Sequence, residues 1–309
     1  MSEETDQPAA DTRCGFVALI GAPNAGKSTL INALVGSKVS IVSHKVQTTR
    51  MQIRGIVIEG QSQLIFIDTP GICVPKRRLD RAMVTSAWSG AHDADFTGLL
   101  IDARKGIDEE ADAIVRKFET VGGRKFLLLN KIDVVDKSAL LQLATTVNER
   151  VRLEATFMIS ALNGDGVADV RSWLAQQVPA GPWHYPADQI SDAPMRQLAA
   201  EITREKMFHR LHQELPYQST VETQSWKELK DGSVRIEQTI FVERESQRKI
   251  VIGKGGQTLK SIGADARKEI SGILEGPVHL FLFVKVRQGW GDDPERYREM
   301  GLEFPRSDS

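Results

Sequence analysis

The residue types and spacing at positions 21–28, which read GAPNAGKS, indicate phosphate binding. They match the pattern G-x-x-x-x-G-K-[ST], in which glycines let backbone N–H groups face phosphate oxygens. An apolar run precedes the pattern and a helical stretch follows it, as a phosphate-binding loop requires. Lys27 would then reach the β- and γ-phosphates, and the Ser28 hydroxyl would bind Mg²⁺. The pattern therefore predicts a nucleoside triphosphate as the ligand.

A second motif, DTPG at positions 68–71, follows another apolar run. A carboxylate at the end of a buried strand is suited to hold the Mg²⁺ shell, so Asp68 is the candidate, with the Gly71 N–H as donor to the γ-phosphate. Between the motifs, Thr48 and Thr49 lie where a loop could close on Mg²⁺. We favour Thr49 as the ligand and keep Thr48 as the alternative. The predicted catalytic residues are Lys27, Thr49, Asp68 and Gly71, and the predicted Mg²⁺ ligands are Ser28, Thr49 and Asp68.

The residue after this motif, Ile72, bears on how fast the triphosphate would be hydrolysed. In Ras-like enzymes a glutamine at that place orients the attacking water. An isoleucine side chain has no hydrogen-bonding group for this purpose. We therefore expect slow intrinsic hydrolysis unless backbone groups, an ion or a partner position the water.

The motif NKID at positions 130–133 indicates which base is bound. The Asp133 carboxylate can accept from guanine N1–H and the N2 amine together, a donor pair that adenine lacks. Asn130 can tie this loop to the phosphate loop, the Lys131 stem can pack on the base, and residues 160–162 (SAL) would offer a backbone N–H to guanine O6. The predicted nucleotide-binding residues are Gly21, Ala22, Pro23, Asn24, Ala25, Gly26, Lys27, Ser28, Thr29, Asp68, Thr69, Pro70, Gly71, Ile72, Asn130, Lys131, Ile132, Asp133, Ser160, Ala161 and Leu162.

A second glycine-rich site, GKGG at positions 253–256, matches the GXXG loop with which KH domains hold a single-stranded nucleic-acid backbone. An apolar segment precedes it and an amphipathic helix follows. Positions 244–268 contain seven Lys or Arg and two Asp or Glu, a local charge of +5 that would attract phosphate. The predicted RNA-binding residues are Arg248, Lys249, Ile252, Gly253, Lys254, Gly255, Gly256 and Lys260.

The elements that must position the first motifs alternate regularly between positions 13 and 178. Continuous apolar runs predict strands buried on both faces at 15–21, 63–68, 98–102, 125–130 and 156–160. Helical stretches lie between them at 27–35, 79–90, 109–121, 138–151 and 167–177. This order predicts an α/β domain with a mostly parallel sheet and helices on both faces. Residues 53–59 and 63–68, joined across Gly60, predict one antiparallel hairpin.

The second half of the chain has a different order of predicted helices and strands. After a Pro-rich linker at 179–191, a helix at 195–215 with Asp192 as a possible N-cap precedes strands at 220–229 and 233–242. Two helices flank GKGG, and a strand at 278–286 follows. The order α-β-β-α-α-β predicts a smaller α+β domain at 192–291. Residues 1–12 are expected to be a disordered leader, and the tail at 292–309 is assigned no role.

Composition narrows the possible functions. Lys plus Arg number 40 against 41 Asp plus Glu, so the net charge of -1 argues against binding nucleic acid or membrane through bulk charge. The two cysteines cannot form a disulfide framework, which suits a reducing cytosol. No apolar run approaches the roughly 20 residues of a membrane span, and the first residues do not resemble a signal peptide.

The combination of motifs resembles the Era family of GTPases, in which one GTPase domain precedes one type II KH domain. The resemblance covers positions 13–291, including QTTR at 47–50, DTPGI at 68–72, ELPY at 214–217 and VKVRQGW at 284–290. It implies a cytoplasmic GTPase with GTP or GDP and Mg²⁺ as ligands, which binds the 3′ end of 16S rRNA and assists 30S subunit assembly. It also implies peripheral association with the inner membrane, a monomeric state and no DNA binding. Similarity to GTPases with an apolar residue after DTPG implies K⁺ near Asn24.

Other functions remain open at this point. The chain could be a GTPase that regulates another RNA or a protein, with the KH unit as a docking module. A small-molecule kinase would need an acceptor pocket and a catalytic base, and neither is evident. A tRNA-modifying GTPase is disfavoured because that type ends in a reactive cysteine motif, and no cysteine follows Cys73. For the Era-like function, we expect GTP and Mg²⁺ to order residues 47–50 and so change the access of RNA to the KH domain.

Overall fold

The computed structural model of the protein describes residues 11–45, 48–211 and 215–305. Predictions on residues 1–10, Gln47, Glu214 and 306–309 lie outside the described residues. The chain divides into two compact units. The first contains the residues up to Ser40 together with Thr49–Lys76 and Asp80–Asp192. The second contains Ile41–Thr48, Arg77–Leu79 and the residues from Ala193 onward.

In the described part of the first unit, six strands form one sheet in the order β2-β3-β1-β4-β5-β6. All neighbouring pairs are parallel except β2 with β3, which confirms the predicted hairpin. The strands are β1 (Arg13–Ile20), β2 (Ile53–Glu59), β3 (Ser62–Asp68), β4 (Phe96–Asp102), β5 (Arg124–Asn130) and β6 (Ala155–Ile159). The helices are α1 (Lys27–Val35), α2 (Arg78–Asp93), α3 (Glu109–Thr120), α4 (Lys137–Asn148) and α5 (Val167–Gln177).

The sheet has a hydrophobic core on each face because both sides of its strands are covered. Leu19 packs with α1 and α5 on one face, while the next residue, Ile20, packs with α2, α3 and α4 on the other. Both side chains are fully buried. This explains why the strands are continuous apolar runs rather than alternating ones. The register aligns Asp68 with Leu19 and Asn130 with Asp102, so the polar residues that end the strands share one edge of the sheet.

The second unit contains a smaller sheet with the order β7-β8-β9 among its described residues. Strand β8 pairs antiparallel with β7 and parallel with β9. The elements in chain order are α6 (Met195–Arg210), β7 (Ser219–Glu228), β8 (Val234–Val242), α7 (Glu245–Ile252), α8 (Gln257–Ile273), β9 (Val278–Val286) and α9 (Pro294–Glu299). Apolar residues of α6 and α8 pack against one face of this sheet. The predicted α-β-β-α-α-β order is confirmed.

Two local predictions in this region are wrong. Helix α6 ends at Arg210 rather than at 215, because Leu211 is extended, and a separate 3₁₀ turn, Leu215–Gln218, contains Pro216, which cannot donate a helical hydrogen bond. Asp192 does not cap α6. Its carboxylate instead accepts from the Arg54 backbone N–H and guanidinium at 2.9 and 3.1 Å. Among the described residues, no helix is both long enough and apolar enough to span a membrane.

Candidate functional site

The phosphate loop joins the end of β1 to the start of α1. Its backbone turns through a left-handed conformation at Gly26, with φ 107°, immediately before the first helical residue. A Cβ at this position would lie 2.2 Å from Asn130 Nδ2, so a larger residue would push away the loop that begins at Asn130. The backbone N–H groups at the start of α1 adjoin this loop, and the dipole of the helix favours an anion there.

Lys27 is buried beneath this loop. Its ammonium donates to the carbonyl oxygens of Gly21 and Ala22 at 2.9 and 3.0 Å. Burial lowers the pKa of Lys27 to about 8, although the negative charge of Asp68 opposes that shift. A phosphate group in the loop would supply more negative charge and favour the protonated lysine. The arrangement fits a lysine that binds the β- and γ-phosphates.

Asp68 lies at the centre of a cluster of hydroxyl groups. Its Oδ2 accepts from Ser28 Oγ at 2.8 Å, from Ser40 Oγ at 2.5 Å and from Thr49 Oγ1 at 3.3 Å. Burial raises the pKa of the carboxyl, while the hydroxyl hydrogen bonds and Lys27 oppose this rise. The other carboxylate oxygen, Oδ1, is buried without a hydrogen-bond partner among the described residues.

This oxygen-rich cluster fits Mg²⁺, which prefers carboxylate and hydroxyl oxygen ligands. An orphaned carboxylate oxygen next to the Ser28 and Thr49 hydroxyls is the donor set that such an ion needs. Thr48 lies elsewhere, since its hydroxyl donates to the Lys45 carbonyl oxygen at 2.7 Å. The structure thus brings Thr49, and not Thr48, to the carboxylate.

Ser40 was missed by the sequence reasoning. It reaches Asp68 because the Asn32 side chain of α1 accepts from the Val39 and Ser40 N–H groups, both at 2.9 Å, and donates to the Ser40 carbonyl at 2.8 Å. One amide side chain therefore fixes the loop that follows α1. No local pattern marks Ser40, because its partner lies 28 residues away.

Asn130 connects three loops at the edge of the sheet. Its Nδ2 donates to the Ala25 carbonyl at 2.8 Å, as expected of a residue that ties the base loop to the phosphate loop. Its Oδ1 accepts from the Ala161 N–H at 2.9 Å. That N–H is therefore already used within the protein. The Asp133 side chain is exposed on the adjoining 3₁₀ turn, where a base could reach it.

Asp102, at the end of β4, is a second residue that the sequence reasoning missed. Its nearly buried carboxylate accepts from the Lys131 ammonium at 2.6 Å and from the Arg104 guanidinium at 2.8 Å. Although burial raises the pKa of Asp102, the hydrogen bonds from Arg104 and Lys131 hold it below its usual value. Lys131 also donates to the Asn24 carbonyl at 2.7 Å. Asp102 thereby fixes the lysine stem on which a base would pack. Its position at a strand end was the available signal.

The GKGG loop joins α7 to α8 in the second unit. Gly253 has φ 74°, and a Cβ there would lie 2.2 Å from Thr258 Oγ1. Lys254 and Gly255 are exposed, and Gly256 caps the N-terminus of α8. The loop is therefore open to a ligand that approaches along α8.

A groove runs from this loop between α8 and β9. Its lining residues are Gly256, Leu259, Lys260, Gly263, Ala264, Arg267, Leu280 and Leu282. Of the predicted RNA-binding residues, Gly256 and Lys260 line it directly. Arg248 does not: its guanidinium is held by Glu245 and by the Val284 carbonyl. The sequence reasoning missed Leu280 and Leu282, which alternate along β9 with more exposed residues and are themselves partly buried.

Comparison with protein-family models matches both units. The model described as 50S ribosome-binding GTPase matches residues 16–131, and that described as KH domain matches residues 214–291. A protein named GTPase Era from Bradyrhizobium sp. (strain BTAi1) is 70% identical over 305 residues, covering 99% of each chain. GTPase Era from Brucella suis is 67% identical over 297 residues, covering 96% of each. The chain belongs to the Era family of GTPases.

Solved structures of the Era family agree with this assignment. A crystal structure of Era in complex with MgGDPNP and nucleotides 1506-1542 of 16S ribosomal RNA is 38% identical, with a TM-score of 0.88 over 94% of this chain and 99% of the other. A crystal structure of a point variant of Aquifex aeolicus Era bound to GDP and AlF4- gives the same values. Membership in the Era family confirms the predicted GTPase domain, the KH domain that follows it and GTP hydrolysis as the reaction.

Proposed function

We propose that this GTPase binds the 3′ end of 16S rRNA through the groove between α8 and β9 and assists assembly of the 30S subunit. The observation that carries the proposal is the groove itself, in which an exposed GXXG loop, the Lys260 and Arg267 cations and an apolar floor lie together. A KH groove of this kind holds unpaired nucleotides. The Era structure with a fragment of the same rRNA supports this choice of partner.

Within the GTPase domain, each residue has a proposed task. Lys27 and the N–H groups of the loop bind the β- and γ-phosphates, and the Gly71 N–H donates to the γ-phosphate. Ser28, Thr49 and Asp68 would hold Mg²⁺, which supplies positive charge to the phosphate oxygens during hydrolysis. Asp133 accepts from the guanine edge, which selects GTP.

Hydrolysis is proposed to be slow and to depend on K⁺. The Ile72 side chain is buried and cannot orient water, while its N–H donates to the Gly21 carbonyl at 3.1 Å. Asn24, in the left-handed region at φ 62°, is the proposed K⁺ ligand. GTP hydrolysis measured in K⁺ and in Na⁺ at equal ionic strength tests this. Equal hydrolysis rates in the two salts would show that K⁺ has no part in the reaction.

We further propose that bound GTP changes the affinity for RNA. Ser40 and Thr49 both bond to Asp68, and the residues between them, Ile41–Thr48, belong to the second unit. There the Val42 N–H donates to the Glu205 carboxylate of α6 at 2.8 Å. A nucleotide and Mg²⁺ that reposition Ser40 or Thr49 would pull on both ends of this segment. Gln47 itself lies outside the described residues.

The cellular setting is proposed from family resemblance alone: a cytoplasmic monomer with peripheral association to the inner membrane and no DNA partner. Sedimentation of the purified protein tests the monomer. Flotation with liposomes of bacterial lipids tests the membrane association, and failure to float would remove it from the proposal.

The central test measures the affinity for an unpaired oligonucleotide with the sequence of the rRNA 3′ end, in K⁺ buffer. We expect tighter binding with a non-hydrolysable GTP analogue than with GDP. Equal affinities would eliminate the coupling, because a ligand without differential affinity cannot shift an equilibrium.

Charge reversal separates RNA binding from protein docking. Lys254→Glu with Lys260→Glu should abolish most RNA binding, and both side chains are exposed, so the fold should survive. The matched control is Lys137→Glu with Lys230→Glu, which reverses two exposed lysines outside the groove. If the groove variant binds RNA like the control, the KH unit instead serves as a docking module for another partner.

A further inference from the structure

The outer face of the small sheet, opposite α6 and α8, has two different halves. One half is covered by the chain's own C-terminal segment. The Arg296 guanidinium lies 4.9 Å from the Phe241 ring centroid and pairs with Glu222 at 2.5 Å. Trp290 is almost fully buried and donates to the Gln218 carbonyl at 3.1 Å. Arg296, in the tail that the sequence left without a role, and Trp290, the last residue of VKVRQGW, therefore shield this half from solvent.

The other half exposes two aromatic rings on β9. Phe281 and Phe283 are 43% and 48% exposed, although both belong to a very regular strand. They lie two residues apart and so project from the same face of the sheet. Large exposed apolar side chains grouped in this way mark a binding surface more often than isolated ones do.

Basic side chains surround the two rings. The pairing of β8 with β9 sets Arg235 opposite His279 and Phe241 opposite Lys285, so these residues share the face. Arg235, His279 and Lys285 are exposed, and the Arg235 guanidinium lies 4.7 Å from the Phe281 centroid. The carboxylate in the next row, Glu237, is already paired with Arg235 at 2.9 Å. Flat rings beside cations are the combination that binds unpaired nucleotides, through stacking and phosphate attraction.

This surface is continuous with the groove around a single strand. Among the described strands β9 is at the edge of the sheet, next to β8 alone. Its side chains alternate, so Leu280 and Leu282 line the groove while Phe281 and Phe283 face the opposite side. RNA that leaves the groove beside β9 therefore has only the edge of one strand to cross before it meets the rings.

We propose that Phe281 and Phe283 form a second nucleotide-binding surface, on which unpaired bases of the RNA held in the groove stack after passing around β9. This inference rests on the proposed RNA-binding function and extends it. The groove would hold the first few nucleotides, and the aromatic face would add affinity only for longer RNA. Exposed aromatic rings on a sheet bind single strands in other RNA-binding modules by the same physics.

The test compares two RNA lengths on the full chain. A tetranucleotide fills a KH groove, whereas an unpaired RNA of about twelve nucleotides can continue beyond it. Affinities of both are measured by fluorescence anisotropy for the wild type and for Phe281→Ala with Phe283→Ala. We expect the double variant to bind the tetranucleotide like the wild type and to bind the longer RNA about ten- to a hundredfold more weakly, since stacking of each base adds roughly fivefold or more.

Two companion variants guard against a purely structural effect. Phe281→Tyr with Phe283→Tyr keeps the rings and should restore the affinity for longer RNA. Phe283→Trp should add indole fluorescence to that of the five native tryptophans, and relative to the wild type the longer RNA should quench this added signal while the tetranucleotide does not. Leu141→Ala, which shortens an exposed apolar side chain of α4, serves as the control and should leave both affinities unchanged.

The outcomes separate the possible failures. If the wild type binds neither RNA, the proposed function fails and this surface fails with it. The wild type could bind the longer RNA more tightly than the tetranucleotide while the alanine variant binds the longer RNA as tightly as the wild type does. This result would refute the aromatic surface alone. If the alanine variant loses affinity equally for both RNAs, the substitution has damaged the groove, and this result would also overturn the proposal.

Discussion

The nucleotide site and the proposed RNA groove are built in opposite ways. In the nucleotide site, polar and charged side chains are buried and hydrogen-bonded within the protein: Lys27 donates to the Gly21 carbonyl, Asp68 accepts from Ser28, and Asn130 donates to the Ala25 carbonyl. In the groove, the cations Lys254 and Lys260 are exposed and the floor is apolar. Buried polar groups act in a medium of low effective dielectric and discriminate strongly, whereas exposed cations attract phosphate without selecting a sequence. The first site is suited to one ligand and the second to a class of ligands.

The largest expected effect tests the buried side of this comparison. Lys27→Ala should weaken GTP and GDP binding by at least about a hundredfold, because it removes a charge-assisted contact in a desolvated site. Isothermal titration of purified protein measures this, with Lys254→Ala as the control that leaves nucleotide affinity intact. Nucleotide affinity retained by Lys27→Ala would mean that the phosphate-loop assignment is wrong.

The pH dependence of nucleotide binding should reveal the same burial. Without phosphate, Lys27 has a pKa of about 8, below its ordinary value of 10.5. Phosphate binds the protonated lysine, so above about pH 8 binding must take up a proton, and GDP affinity should fall by up to about tenfold per pH unit. Titrations between pH 7 and 9 test this, and the Lys27→Ala variant should lack that slope.

The pH dependence of folding stability should have the opposite direction to that of nucleotide binding. Because the folded state has the lower pKa, the unfolded chain binds more protons between about pH 8 and 10.5. The contribution of Lys27 to the free energy of unfolding should therefore be least below about pH 8 and rise through that window. Chemical denaturation of the nucleotide-free protein and of Lys27→Ala at several pH values isolates this contribution. A difference between the two proteins that does not change with pH would contradict the burial of the charge.

Substitution of Asp102 should have an effect of intermediate size on nucleotide affinity. Asp102→Asn keeps the shape but removes the charge that holds Lys131, so GTP and GDP affinities should fall together by about tenfold, with no change in their ratio. Combined with Lys131→Ala it should cost little more than either change alone, since the two side chains act as a pair. Arg104→Ala, which leaves that pair intact, is the control. Additive losses would show that Asp102 acts separately from the lysine.

The smallest expected effect comes from the exposed side of the comparison. Lys254→Ala should weaken RNA binding by only a few-fold at moderate salt and reduce the slope of log affinity against log salt by about 0.7. Anisotropy titrations at several KCl concentrations measure that slope. If Lys254→Ala weakened RNA binding as much as Lys27→Ala weakens nucleotide binding, Lys254 would not be an exposed cation screened by salt.

Much of the nucleotide site could be predicted from local sequence. GAPNAGKS, DTPG and NKID each fold within a few residues of a strand end, so their chemistry is visible in the chain order. The buried strands were equally clear, because a sheet covered on both faces requires continuous apolar runs. In the second unit, GKGG and the helix after it carried the same kind of local signal.

Other features depended on distant parts of the chain. Asp192 resembled a helix cap but pairs with Arg54, 138 residues away. The tail at 292–309 carried no motif, yet its Arg296 lies over the Phe241 ring and pairs with Glu222 on the outer face of the small sheet. Local patterns report what a residue can do for its neighbours in sequence, and these residues act on neighbours in space.

The sequence by itself determined the strand and helix order, the phosphate loop, the preference for guanine and the presence of a KH module, because each rests on contiguous residues with restricted backbone or side-chain chemistry. Only the tertiary structure decided that Ser40 and Thr49 share the Asp68 carboxylate, that Asp102 holds Lys131, and that Phe281 and Phe283 remain exposed. Parallel strands bring their ends together from positions far apart in the chain, and the coverage of a sheet face depends on where other segments pack.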